Sequence, residues 1–147
     1  MPKRWDWLRR IKQVEGEYKV LRFGAEHVLV QVRNGALLLP KTETPRDLVT
    51  AMDHLEPTYL VRLFAEFETG LRQYWDTTRE SNPKTRDLIN SLADKHGVPA
   101  TVLTIAHEVR EYRNSLVHER EDTPQEIRMD EARGVLCTFF SFLPNSW

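Results

Sequence analysis

The chain has 147 residues, 40% of them hydrophobic and 29% charged, which is the length and composition of one folded domain able to bury its own core. Twenty-one Lys and Arg stand against 22 Asp and Glu, so the net charge of -1 gives no global attraction to nucleic acid or to a membrane surface. The single cysteine, Cys137, excludes an intrachain disulfide and a cysteine-rich zinc cluster, and it sits in an apolar run where a small core residue is expected.

The N-terminus, MPKRWDWLRRIK, is basic but has no apolar segment of signal-peptide type, and no apolar run reaches membrane-spanning length. A cytoplasmic protein is the default expectation. Lys3, Arg4, Arg9, Arg10 and Lys12 interleave with Trp5 and Trp7. That pattern suits single-stranded RNA, although tryptophans packed on the bundle with the charges in water explain it as well. Trp7, Ile11, Val14, Tyr18, Leu21, Ala25, Val28 and Val32 repeat at alternating spacings of four and three, which predicts a helix over 5–33, stopped by Asn34-Gly35. A β-hairpin over 17–33 is the rival, because Val28, Val30 and Val32 also alternate.

Thr44-Pro45 opens a second helix with Asp47 in its first turn. Pro57 is expected to break it, and a separate helix to carry Leu60, Phe64, Phe67, Leu71 and Tyr74. The polar run 76–85 reads as a loop. Leu88, Ile89 and Leu92 mark a helix ending at His96-Gly97, and Pro99 opens another whose expected stripe is Val102, Ile105, Val109, Tyr112 and Leu116. Thr123-Pro124-Gln125-Glu126 has capping-box spacing, with Asp130 as the alternative start of a last helix. That helix carries Ala132, Leu136, Phe139 and Leu143 and ends at Pro144. The expected fold class is all-α, a bundle of four to five core helices with a long N-terminal helix. Residues 1–44 form an N-terminal arm or extension and 45–147 the bundle.

One stretch, REYRNSLVHERE over 110–121, concentrates groups that hold protons and phosphates. On a straight helix His107, Glu111, Asn114 and His118 fall within about 60° of one another, opposite Val109, and Arg110 borders them. The wet side of an amphipathic helix explains this equally. Arg113 lies about 140° from His118 on such a helix. The two meet only if the helix loosens before His118 or if two copies of the chain assemble one site across a two-fold axis. Histidine, with an ordinary pKa near 6.5, exchanges protons at neutral pH, and a guanidinium presents a planar fork to phosphate oxygens. His107 and Glu111 stand at the first and last positions of a degenerate His-Glu-x-x-His pattern, but the missing second histidine argues against a metal site, and no cofactor motif is present.

Arg113-Asn114-Ser115-Leu116-Val117-His118 resembles the arginine, polar residue, three residues, histidine motif of the HEPN superfamily (higher eukaryotes and prokaryotes nucleotide-binding). The likeness extends over roughly residues 45–147: a long earlier helix such as FAEFETGLRQYW, the motif late in a helical bundle, and a final amphipathic helix after it. The resemblance implies a metal-independent endoribonuclease that acts as a homodimer, with Arg113 and His118 as the catalytic pair and Asn114 as their polar companion. The products would be a 2′,3′-cyclic phosphate and a 5′-hydroxyl. Read from the residues themselves, Arg110 is a candidate phosphate contact, and Glu111 and His107 either orient the site or are solvated charge. Family members include toxins of toxin–antitoxin pairs, some held inactive by a minimal nucleotidyltransferase partner, and anti-phage ribonucleases. Others are non-catalytic modules that bind RNA, nucleotide or protein, and that reading stays open beside the nuclease, as does a plain helical interaction protein.

Overall fold

The computed structural model describes residues 3–147, and the molecule is an all-α bundle of five helices: α1 (Arg4–Arg33), α2 (Pro45–Asp76), α3 (Thr85–His96), α4 (Ala100–Val117) and α5 (Met129–Ser141). The only β-type pairing among the described residues is an isolated bridge between Lys3 and Ser146, so the helix over 5–33 stands and the hairpin does not. Glycines in the left-handed region end two helices, Gly35 after α1 at φ 73° and Gly97 after α3 at φ 66°.

α2 is one helix, not two. Thr44 and Asp47 cap its start reciprocally, with the Thr44 N–H donating to Asp47 Oδ2 at 2.7 Å and the Asp47 N–H to Thr44 Oγ1 at 3.4 Å. The helix then runs straight through Pro57, which sequence reasoning took for a break. Proline costs a helix interior about 3 kcal/mol, but packing outweighs it. Leu60, Leu63, Phe64, Phe67 and Leu71 are all buried just beyond it, and Thr58 Oγ1 donates to the His54 carbonyl at 2.7 Å. Glu56, next to the proline, accepts from the Met129 backbone N–H at 2.7 Å and from Tyr18 Oη–H at 3.0 Å. A side chain of α2 thereby supplies the first N–H of α5 with an acceptor.

The first half of α1 belongs to the same core as α2 and α5. Trp7, Ile11, Val14 and Tyr18 are buried, so the division at residue 44 falls on the connector between two packed helices. Trp7 is thus not a surface for stacking bases, and Arg4 is committed to the carbonyls of Ser141 and Leu143 at 2.6 and 2.7 Å, closing the end of α5. Trp5 alone of the two tryptophans stays exposed. Glu15, itself buried, pairs with Arg133 of α5 at 3.1 Å and with Lys19 at 2.9 Å. Beyond Tyr18 the packing thins: from Lys19 to Tyr59 no residue is fully buried among those described. Val20 and Phe23 are 70% and 74% exposed.

At the centre, α1 and α5 approach α2 over Gly70. A Cβ there would come within 2.8 Å of the Phe140 ring and 2.9 Å of the Trp7 ring. Phe67 meets Phe139 edge-on at 5.4 Å between centroids, and Trp147 closes the same end against Tyr74 at 5.2 Å. α4 packs on α2 and α5 through Ala106, Val109 and Tyr112, a stripe displaced from the expected one: Leu116 is exposed, and Val102 and Ile105 are half-buried. The last helix starts at Met129, so the Thr123 capping box forms no helix, and it stops at Ser141, three residues before Pro144.

Gly70→Ala should destabilise the bundle. Overpacking two buried rings costs roughly 1–3 kcal/mol, more than the helix-propensity gain of about 1 kcal/mol. Thermal unfolding would show this as a Tm lowered by a few degrees. Hydrogen exchange gives a separate check: backbone amides over 19–33 should exchange well before those over 7–18 of the same helix.

Candidate functional site

Two adjoining cavities lie between α3 and α4. The smaller, of about 320 Å³, is lined by Arg113 and Asn114 of α4, Phe64 and Glu68 of α2, and Lys84, Thr85 and Arg86 at the start of α3. The larger, of about 610 Å³, is lined by His107 and Glu111 of α4, Asn90 of α3, and the segment 124–127 before α5. Arg86 and Arg110 line both. The structure therefore brings together five of the six site residues singled out in the sequence and adds Lys84, Arg86 and Asn90. Those three were missed because α3 supplies them from outside the motif. A signal for two of them existed: Lys84 and Arg86 place positive charge at a helix start, where the helix dipole disfavours it.

Arg113 is the most unusual group in the site. Its guanidinium lies 5.8 Å from the Phe64 ring centre, and Nη1 donates to Asn114 Oδ1 at 3.1 Å. Its Nε is buried with no hydrogen-bond partner among the described residues. It makes no ion pair among the described residues, because Glu111 is held by Arg110 and Arg120, the latter at 2.6 Å. Leaving a charged donor buried and unmatched costs free energy that an incoming anion would recover. Lys84 and Arg86, on the same cavity, also lack a carboxylate partner among the described residues, while Glu68 is held by Arg72 at 2.9 Å and by Thr85 at 2.6 Å. Asn114 orients Arg113, not a histidine.

His118 departs from the expected geometry. α4 ends at Val117, and His118 takes an extended conformation, φ -130° and ψ 140°, as the residue that caps the helix. Its backbone N–H closes the last turn on the Asn114 carbonyl at 3.0 Å. Its side chain is exposed and lines neither cavity. It does not share the helix face of His107, Glu111 and Asn114 predicted for a straight helix. An acidic run follows it, Glu119, Glu121 and Asp122, whose charges are unfavourable at the negative end of a helix dipole. Arg120 meanwhile folds back to Glu111 and to Asp122, at 2.7 Å. The helix thus ends just before His118, and the His118 side chain stays outside the cavity that Arg113 lines.

His107 is held in a neutral form. Its Nε2 lies 2.7 Å from Asn90 Oδ1, and Arg110 Nε–H points at its Nδ1 at 3.4 Å, which assigns the proton to Nε2. Burial, then the positive charges of Arg110 and Arg86, push its pKa below the ordinary histidine value. Glu111 is pushed below the usual carboxylate range by its bond to Arg120 first. Both are therefore fixed parts of the wall at neutral pH and not proton carriers. Searches of protein-family models, curated proteins and solved structures find no match to this chain.

Histidine NMR titration should place His107 below the ordinary value near 6.5. Because its folded pKa is depressed, its contribution to stability is complete above about pH 6.5 and is lost as the pH falls towards the folded value. His96, depressed by burial beside Tyr74, acts in the same direction. Tm should accordingly fall between pH 7 and pH 5, and Arg86→Ala, which removes one of the positive charges acting on His107, should reduce the part due to it.

Proposed function

We propose that this chain is a metal-independent endoribonuclease of HEPN type that works as a homodimer, in the manner of a toxin or anti-phage effector. The observation that carries the reading is Arg113. It is a cation with a buried N–H unmatched among the described residues, on a cavity where Lys84 and Arg86 also lack a carboxylate partner, five residues before an exposed histidine. A phosphodiester seated against Arg113 would meet a planar fork where negative charge grows as the 2′-oxygen attacks phosphorus. His118, free in solvent at the end of α4, would take the 2′-proton, and His118 of the second copy would protonate the departing 5′-oxygen. The exposed Leu116 and Val117 beside it give a second copy an apolar seam to cover. An antitoxin of the minimal nucleotidyltransferase kind belongs to the same reading, and no cofactor takes part. Among the described residues no helix is long and apolar enough to cross a membrane.

One observation favours a second reading, a non-catalytic module of the same architecture that binds RNA, nucleotide or a partner protein. His118 lines neither cavity, so the anion groove could bind without cutting.

End-labelled single-stranded RNA incubated with the protein in EDTA separates the two. Cleavage leaving cyclic phosphate ends is expected from wild type, with a matching DNA strand intact. His118→Ala should lose about 10²–10⁴-fold in rate and Arg113→Ala about 10²–10³-fold. Equal cutting by all three proteins would reveal a contaminant. RNA retained but never cut would make the binding module the correct reading.

A further inference from the structure

The two cavities differ in charge, and that difference has the polarity of a nucleotide. The smaller gathers Lys84, Arg86, Arg110 and Arg113. The larger is edged by Glu108, Glu126 and Glu131, which have no cationic partner among the described residues. Arg86 and Arg110 stand on the wall between them, so a chain lying across that wall would have one group in each. A phosphate fits the first cavity and is repelled by the second. At about 610 Å³ the second is ample for a nucleobase, within the usual range of small-molecule sites, roughly 300–1,000 Å³.

The donors and acceptors there are set before any ligand arrives. His107 and Asn90 satisfy each other through Nε2 and Oδ1, so the Asn90 amide keeps its N–H donors for a ligand. The free carboxylates are pure acceptors. A base that presents adjacent N–H groups suits them: guanine offers N1–H and the N2 amino group side by side, which one carboxylate can accept together. Uracil offers a single N–H flanked by two carbonyl oxygens, which carboxylates repel. Single-stranded RNA is the form in which those base edges are free to be read.

We propose that the cavity edged by Glu108, Glu126 and Glu131 is a base-selective subsite. It would take a guanine of single-stranded RNA whose neighbouring phosphate sits against Arg86 and Arg113. This rests on the RNA reading of the site and adds the base class and the residues that choose it. Arg86 grips phosphate and is indifferent to sequence; the carboxylates discriminate.

The test is binding, measured apart from cleavage. Full-length His118→Ala protein is titrated by fluorescence anisotropy into two labelled single strands of equal length, one of uridines alone and one with guanosines interspersed. The guanosine strand should bind about tenfold tighter, as expected for one paired contact to a base edge. Glu126→Gln combined with Glu131→Gln should bring the ratio towards unity without weakening the uridine strand. Arg86→Ala, whose side chain has no hydrogen-bond partner to lose among the described residues, should weaken both strands alike and lower the salt slope by about one. Equal affinity for the two strands, a preference that survives the double carboxylate variant, or no binding of either would overturn the inference. Wild-type cleavage separates the two ideas. Cutting that needs Arg113 and His118 but shows no base preference leaves the nuclease standing and removes this subsite. Selective binding without cutting does the reverse.

Discussion

The close approach of α1 and α5 to α2 at Gly70 is the constraint on which the bundle rests. Only the absence of a side chain lets the Trp7 and Phe140 rings lie against the α2 backbone. Once they do, Phe67 and Phe139 meet edge-on, Trp147 closes over Tyr74, and the two ends of the chain are tied together through Arg4. α5 and α2 then present the surface on which α4 lies. That places Phe64, itself part of the α2 core stripe, under the Arg113 guanidinium. The position of the candidate catalytic arginine thus follows from the packing of rings at the bundle centre.

A second ordering principle is how charge is shared around the end of α4. Arg110, Glu111, Arg120 and Asp122 neutralise one another in a chain of contacts that fixes the turn after the helix. Because that chain consumes Glu111, Arg113 is left with an asparagine oxygen as its one acceptor among the described residues. Arg86 and Lys84 arrive from α3 without carboxylates of their own. The near-zero net charge of the whole chain conceals this local imbalance: a groove of positive charge on one side of Arg110 and free carboxylates on the other.

Pro57 shows where local reasoning fails for a physical cause. A proline penalty of about 3 kcal/mol is decisive for an isolated helix and minor beside a stripe of five buried apolar side chains. The misplaced α4 stripe has a related origin. Periodicity selects a direction around a helix but cannot tell which end of the stripe runs past its neighbours. Leu116 is exposed although its phase around the helix is right. His118 leaves the straight-helix face for a different reason: the helix ends at Val117, one of the two alternatives open in the sequence. The acidic run and Pro124 were visible in the sequence as reasons to stop, but the return of Arg120 onto Glu111, nine residues back, was not.

The sequence by itself determined the fold class, the starts of α2 and α4, the end of α3 and the inner stripes of α1 and α2, because these depend on spacing, capping and glycine over a few residues. It also singled out Arg113, Asn114 and His118 as a group. The tertiary structure alone decided that α2 runs unbroken and that Glu56 caps a helix 73 residues further on. It also decided that Arg4 is committed to closing the end of α5, and that Arg113 looks into a groove whose far wall is α3. Those outcomes depend on which elements approach one another, and a contact between distant segments leaves no period in the chain to read.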